Sequence, residues 1–203
     1  MENIIVAKFN VESEAYQALS ELKRNAVNEE CIISQLAVVK KKENNIEIQD
    51  SFDTGVTSED DSMAGGIIGG LIGILSGPVG VLFYGSLGAL IGSTIDTEDV
   101  YNEYKEIEHI CNALIKGETA IIALAQEKNE EVLNAEFKKF DTEVLRFDAA
   151  KIMVEIDEID EQRKIEEKEI RKEKKEQFIA ERKEKINLKR EKIKEKFSKI
   201  KNK

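Results

Sequence analysis

The chain has 203 residues, of which 31 are basic and 41 acidic, giving a formal net charge of -10; the length suits one domain with an appendage, and the charge argues against a protein built to coat nucleic acid. Two cysteines without paired spacing, Cys31 and Cys111, exclude a disulfide scaffold or zinc module. His109, the single histidine, removes most metal chemistry and every relay that needs a second imidazole.

Residues 3–9 are a short apolar run suited to a buried strand. Asn10, Glu12, Ser13 and Glu14 follow at once, so no signal-peptide core is expected at the start. Asn10, Ser13 and Glu14 supply helix-start chemistry, with acids where the helix dipole favours them. Ala15, Leu19 and Leu22 then fall on one helical face. Residues 32–41 are rich in β-branched side chains and predict a second strand; Asn44-Asn45 marks a turn, and residues 46–49 pair back as a hairpin.

The stretch 62–95 carries no formal charge across 34 residues, and ten of the twelve glycines lie between Gly65 and Gly92. Gly65, Gly69, Gly73 and Gly77 recur every four residues, with Gly66 and Gly70 in a parallel row; Gly85, Gly88 and Gly92 continue the pattern after Gly77-Pro78. Glycine costs about 1 kcal/mol per residue in a helix, so helices this rich in it are expected to regain that through close backbone contact. The pattern predicts a glycine-zipper hairpin, with arms at 63–76 and 79–95 and the glycines as helix-packing and oligomerisation residues. Arms of 14 and 17 residues rise about 21 and 25 Å, short of a hydrocarbon core of about 30 Å. Acids flank both ends, and no basic residue does. Two arrangements remain open: a hairpin that dips into or oligomerises within a membrane, or one that packs its glycine face on itself or on a neighbouring subunit.

Beyond the glycines, Val100, Tyr104, Ile107, Cys111 and Leu114 line one helical face, and Gly117 is placed as its C-cap. Residues 119–125 predict a strand, 129–140 a helix and 142–147 a last strand. The order β-α-β, interruption, β-α-β predicts an α+β fold, a ferredoxin-like sandwich over 1–148 with two helices on one face of a four-stranded antiparallel sheet. The other face needs a cover, from the helix at 100–116 or from a second subunit.

Residues 149–203 contain neither Pro nor Gly and predict a long charged helix. Asp160/Lys164, Glu167/Arg171 and Glu181/Lys185 place an acid four residues before a base, the favourable helical order. Ile165, Ile179, Ile186, Ile193 and Ile200 share one heptad position, too thin a seam for a strong coiled coil. Residues 183–203 carry ten basic and three acidic side chains, which suits an anionic lipid or an acidic protein surface.

Asp53-Thr54-Gly55 matches the aspartic-protease triplet but stands in an α/β context without a second motif, and reads as a turn. The glycines end in no Gly-Lys-Ser/Thr, so they form no phosphate loop. No cofactor or metal site and no nucleic-acid surface is expected.

The opening I-I-V-A-K-F, the insert G-G-I-I-G-G-L-I-G-I-L-S-G-P-V-G and the downstream G-E-T-A-I-I-A-L resemble an uncharacterised bacterial family of predicted membrane proteins, related to general-stress proteins in which a glycine-zipper insert interrupts a ferredoxin-like domain. The resemblance spans about residues 1–148; the charged tail departs from the family's shorter ending. It implies no activity and no cofactor. The expected function is a non-enzymatic, membrane-associated or self-assembling scaffold that oligomerises through its glycine-zipper hairpin, stress-linked by resemblance. The alternative is a cytoplasmic, oligomeric small-molecule sensor of ferredoxin-like type.

Overall fold

The computed structural model describes residues 1–43, 45–55, 66–77 and 105–201. Five strands, β1 (Glu2–Phe9), β2 (Cys31–Lys41), β3 (Ile46–Asp53), β4 (Thr119–Glu127) and β5 (Thr142–Asp148), form one antiparallel sheet in the order β3-β2-β4-β1-β5. The described helices are α1 (Glu12–Arg24), α2 (Ile67–Ser76), α3 (Lys105–Ala113), α4 (Glu130–Phe137) and α5 (Ala149–Lys201). The hairpin expected at 46–49 runs on to Asp53 and makes the sheet five-stranded rather than four-stranded.

β1 and β4 are interior strands covered on both faces, which is why both read as nearly unbroken apolar runs rather than as alternating ones. Ile5 stands opposite Ala123 on one side and Arg146 on the other. On the first face, Ile5, Phe9, Leu36, Val38, Ile121 and Ala123 pack under Leu19 and Leu22 of α1 and Leu133 and Phe137 of α4. Phe9 meets Phe137 and Phe140 edge-on, at centroid distances of 6.4 and 6.0 Å.

α1 begins differently from the expected start. Val11 occupies the N-cap and offers no side-chain acceptor, while Asn10 donates across to Asp141 at 3.0 Å. Glu12 and Glu14 still fill the first turn, where the dipole favours them. In α4 the side chain of Asn129 caps Glu131 N–H at 3.0 Å. Gly117 lies in the turn between α3 and β4 with φ +88°, a conformation that favours glycine, and donates its N–H to the Lys41 carbonyl at 2.9 Å.

The opposite sheet face carries Ile4, Val6, Ala37, Ile122 and Leu124, all buried. Its cover includes the expected α3, and α2 from the glycine-rich stretch, which lies against β2, β3 and β4. The first turns of α5 also bury Ala149, Ile152 and Ile156.

The chain divides into two units, Met1–Glu158 and Ile159–Lys203. α5 is 53 residues long. Within the second unit, Ile165, Phe178, Ile179 and Ile186 are exposed, as expected for a charge-stabilised helix with a thin apolar seam.

Candidate functional site

The glycine-rich helix is held by a strand irregularity. The β2–β4 register shifts between Ile33 and Gln35, leaving Ser34 as an extra residue. This β-bulge reverses the alternation, so Gln35 points to the second face while Leu36 stays on the first. The Gln35 amide is buried; it donates to Asp53 at 3.0 Å and accepts from Ile68 N–H at 3.2 Å. A strand side chain thus caps the start of α2, satisfying one of the orphan donors that every helix N-terminus carries.

Gly66, at the N-cap of α2, lies directly over that amide. A Cβ built there would come within 2.0 Å of Gln35 Nε2. The buried amide cannot yield without giving up both hydrogen bonds. Gly66→Ala is expected to lower the unfolding free energy by about 2 kcal/mol, the scale of two disrupted buried hydrogen bonds. In a Gln35→Ala background the same change is expected to cost far less, because the clash is gone. Urea unfolding of the four chains measures this coupling, and equal costs in both backgrounds would refute it.

Along α2, at about 100° per residue, Ile68, Leu71, Ile72, Ile74 and Leu75 fall on one side and all are buried. Gly69, Gly70 and Gly73 fall on the other. Gly73 is exposed, and a Cβ there would meet nothing within 4 Å among the described residues. Gly70 would make an ordinary 3.5 Å contact with Ile156 of α5. Gly77 holds the C-cap. Thus five of the predicted packing glycines, Gly66, Gly69, Gly70, Gly73 and Gly77, belong to one short uncharged helix. Gly65, Gly85, Gly88 and Gly92, and the second arm expected at 79–95, lie outside the described residues. No described helix is long and apolar enough to cross a membrane.

The neighbouring elements are tied by a carboxylate. Glu155 of α5 is buried and accepts from the N–H groups of Glu106 and Ile107 at 3.0 and 2.9 Å, capping α3. Burial pushes its carboxyl above the usual carboxylate range, and the two backbone hydrogen bonds oppose that shift.

Two polar features at the sheet were not foreseen. Arg146 grips the fully buried Glu127 carboxylate through Nε and Nη2, both at 3.0 Å, and Asn3 adds a third hydrogen bond at 2.9 Å. Lys41, at the end of β2, is only 4% exposed, and burial lowers its ammonium to about 8. The sequence signals were an arginine inside a predicted strand and a glutamate two residues past the expected end of another, which the structure extends to Glu127.

His109 is exposed on α3, and Cys31 and Cys111 are both buried. Asp53-Thr54-Gly55 is a turn: Asp53 accepts from Gly55 N–H at 2.7 Å, and Gly55 has φ +68°. A polar cleft of about 210 Å³ at the strand ends is lined by Lys8, Asn10, Glu118, Asp141, Thr142 and Glu143. Within it, Lys8 pairs with Glu143 at 2.7 Å.

Residues 62–156 match a family model described as a protein of unknown function (DUF1269). The matched stretch contains α2, α3, β4, α4, β5 and the first turns of α5, but not β2 and β3, against which α2 also lies. No curated protein and no solved structure matches the chain.

Proposed function

We propose that this protein is a non-enzymatic, self-assembling scaffold of ferredoxin-like type, membrane-associated, whose glycine-rich insert supplies the assembly contact. The observation that carries the reading is the polarity of α2: its isoleucine and leucine side is buried, and its other side is a row of glycines without a charged residue. Such a row allows a second helix to approach backbone to backbone. The ferredoxin-like assignment draws on the strand order β2-β4-β1-β5 and on α1 and α4 sharing one sheet face.

Gly73→Leu tests the reading. On a solitary helix the change improves propensity, so stability rises by about 1 kcal/mol and particle size is unchanged. On a packed glycine face the bulky side chain forces the helices apart, so the assembly shrinks and the melting temperature falls. Light scattering and thermal unfolding of the full chain, done together, separate the two. A monomeric wild-type protein, or a variant that keeps its size and gains stability, would refute the scaffold. Retention of the chain in the pellet after an alkaline carbonate wash is the expected mark of membrane association; complete release favours the cytoplasmic alternative.

A further inference from the structure

The second unit has a charge pattern that the one-dimensional sequence hides. Helical residues recur at about 100°, so each side chain of α5 can be assigned to a side of the helix. From Lys164 to Glu191, one half of the circumference carries nine basic side chains and no acid, among them Lys168, Arg171, Lys175, Arg182 and Lys189. The acids, including Glu169, Glu173, Glu176 and Glu184, lie on the other half. Near-neutral composition in this stretch therefore conceals two strips of opposite sign, each about 40 Å long.

The basic half is also the apolar one in part. Ile165, Phe178, Ile179 and Ile186 sit among the lysines and arginines and are 43% to 63% exposed. We infer that this face of α5 is a docking surface for an anionic membrane, with the helix lying in the plane of the headgroups. Isoleucine and phenylalanine enter the acyl boundary, while the long basic side chains extend outward to lipid phosphates. The observations favour lipid over a polynucleotide, because a phosphate backbone would use the basic groups but give the exposed Ile and Phe row nothing to enter. They favour lipid over a coiled-coil partner because the positions three residues after Ile165, Ile179 and Ile186 are Lys168, Arg182 and Lys189, which leaves a seam without its second apolar row. The acidic half faces away from the surface and stays in water. The inference stands on α5 alone and does not depend on the glycine helix.

Full-length protein sedimented with phosphatidylglycerol vesicles and with phosphatidylcholine vesicles gives the test. Binding is expected to the anionic vesicles only, and to weaken as salt rises. Combined Lys168→Glu, Lys175→Glu, Arg182→Glu and Lys189→Glu is expected to abolish it. Ile179→Ser with Ile186→Ser keeps every charge and is expected to weaken it roughly tenfold by removing the inserted row. Glu169→Gln with Glu176→Gln, on the far half, should leave it unchanged. Circular dichroism of each variant verifies that the helix persists. Attachment borne by the glycine-rich insert would survive both α5 variants and persist on neutral vesicles, so the two readings fail separately. Absence of binding to anionic vesicles overturns the inference. So does binding that ignores the isoleucine changes, or tighter binding to a single-stranded RNA oligomer than to the vesicles.

Discussion

Replacing Arg146 by alanine is expected to lower the unfolding free energy by about 3–5 kcal/mol, the cost of stranding one member of a buried ion pair, and the melting temperature by roughly 10 °C. The Glu127 side chain has no exposure, and Arg146 retains only 17%. The guanidinium holds both carboxylate oxygens at 3.0 Å, a bidentate geometry that lysine cannot reproduce. Without it, a full negative charge remains under the sheet end with Asn3 as its remaining side-chain donor among the hydrogen bonds described above. The Cys31 thiol nearby already feels this environment: burial first, and the Glu127 charge second, push it up to about 11. Adding Glu127→Gln to Arg146→Met removes the stranded charge, and most of the lost stability should return. Urea midpoints at neutral pH measure both steps. A loss under about 1 kcal/mol for Arg146→Ala would mean that the pair behaves like a solvated surface bridge.

Lys41→Met is expected to move stability the other way. In the folded chain burial lowers this ammonium from 10.5 to about 8. Between those pH values the unfolded chain binds more protons than the folded one, so stability rises with pH across that window. Below it both states are protonated, and holding the ammonium in the folded chain costs more than holding it in the unfolded one. Methionine removes the charge, for a gain of up to about 3 kcal/mol at pH 7, the scale of a shift of this size. The gain should fade as the pH approaches 10.5. Chemical unfolding of both chains at pH 7 and pH 10 supplies the comparison; a gain that does not shrink with pH would show that packing, rather than charge, separates the variants.

Much of the fold was legible because it rests on local chemistry. The apolar runs of β1 and β4, the spacing of Ala15, Leu19 and Leu22, the turn before β3 and the Gly117 turn are all written in neighbouring residues. What covers the second sheet face was only half legible. Ile107, Cys111 and Leu114 announced α3, but α2 looked like one arm of a free-standing hairpin, because charge and periodicity do not reveal which neighbour an apolar face will find. Gly66 carried a conspicuous place in the glycine row, yet its described contact is with Gln35, and that depends on a one-residue bulge in a strand 30 residues away. Lys41 hid in the run Lys40-Lys41-Lys42, where alternation sends one lysine inward and its neighbours toward water. Glu127 and Arg146 are 19 residues apart, and only the pairing of both strands with β1 brings them together.

The strand order has a consequence for synthesis. Of the five strands β1 is made first, yet both of its neighbours, β4 and β5, are encoded more than 100 residues later. At about 5–20 residues per second, its apolar edge waits roughly 6 to 25 seconds on the ribosome for a partner. The β2–β3 hairpin closes locally during that interval, but it cannot shelter β1, since β4 must slot between them. Loop closure over such separations is slow, and an unpaired apolar strand is a template for other nascent chains. Ribosome-bound chains released before Thr119 should therefore aggregate through β1, and those released after Asp148 should not.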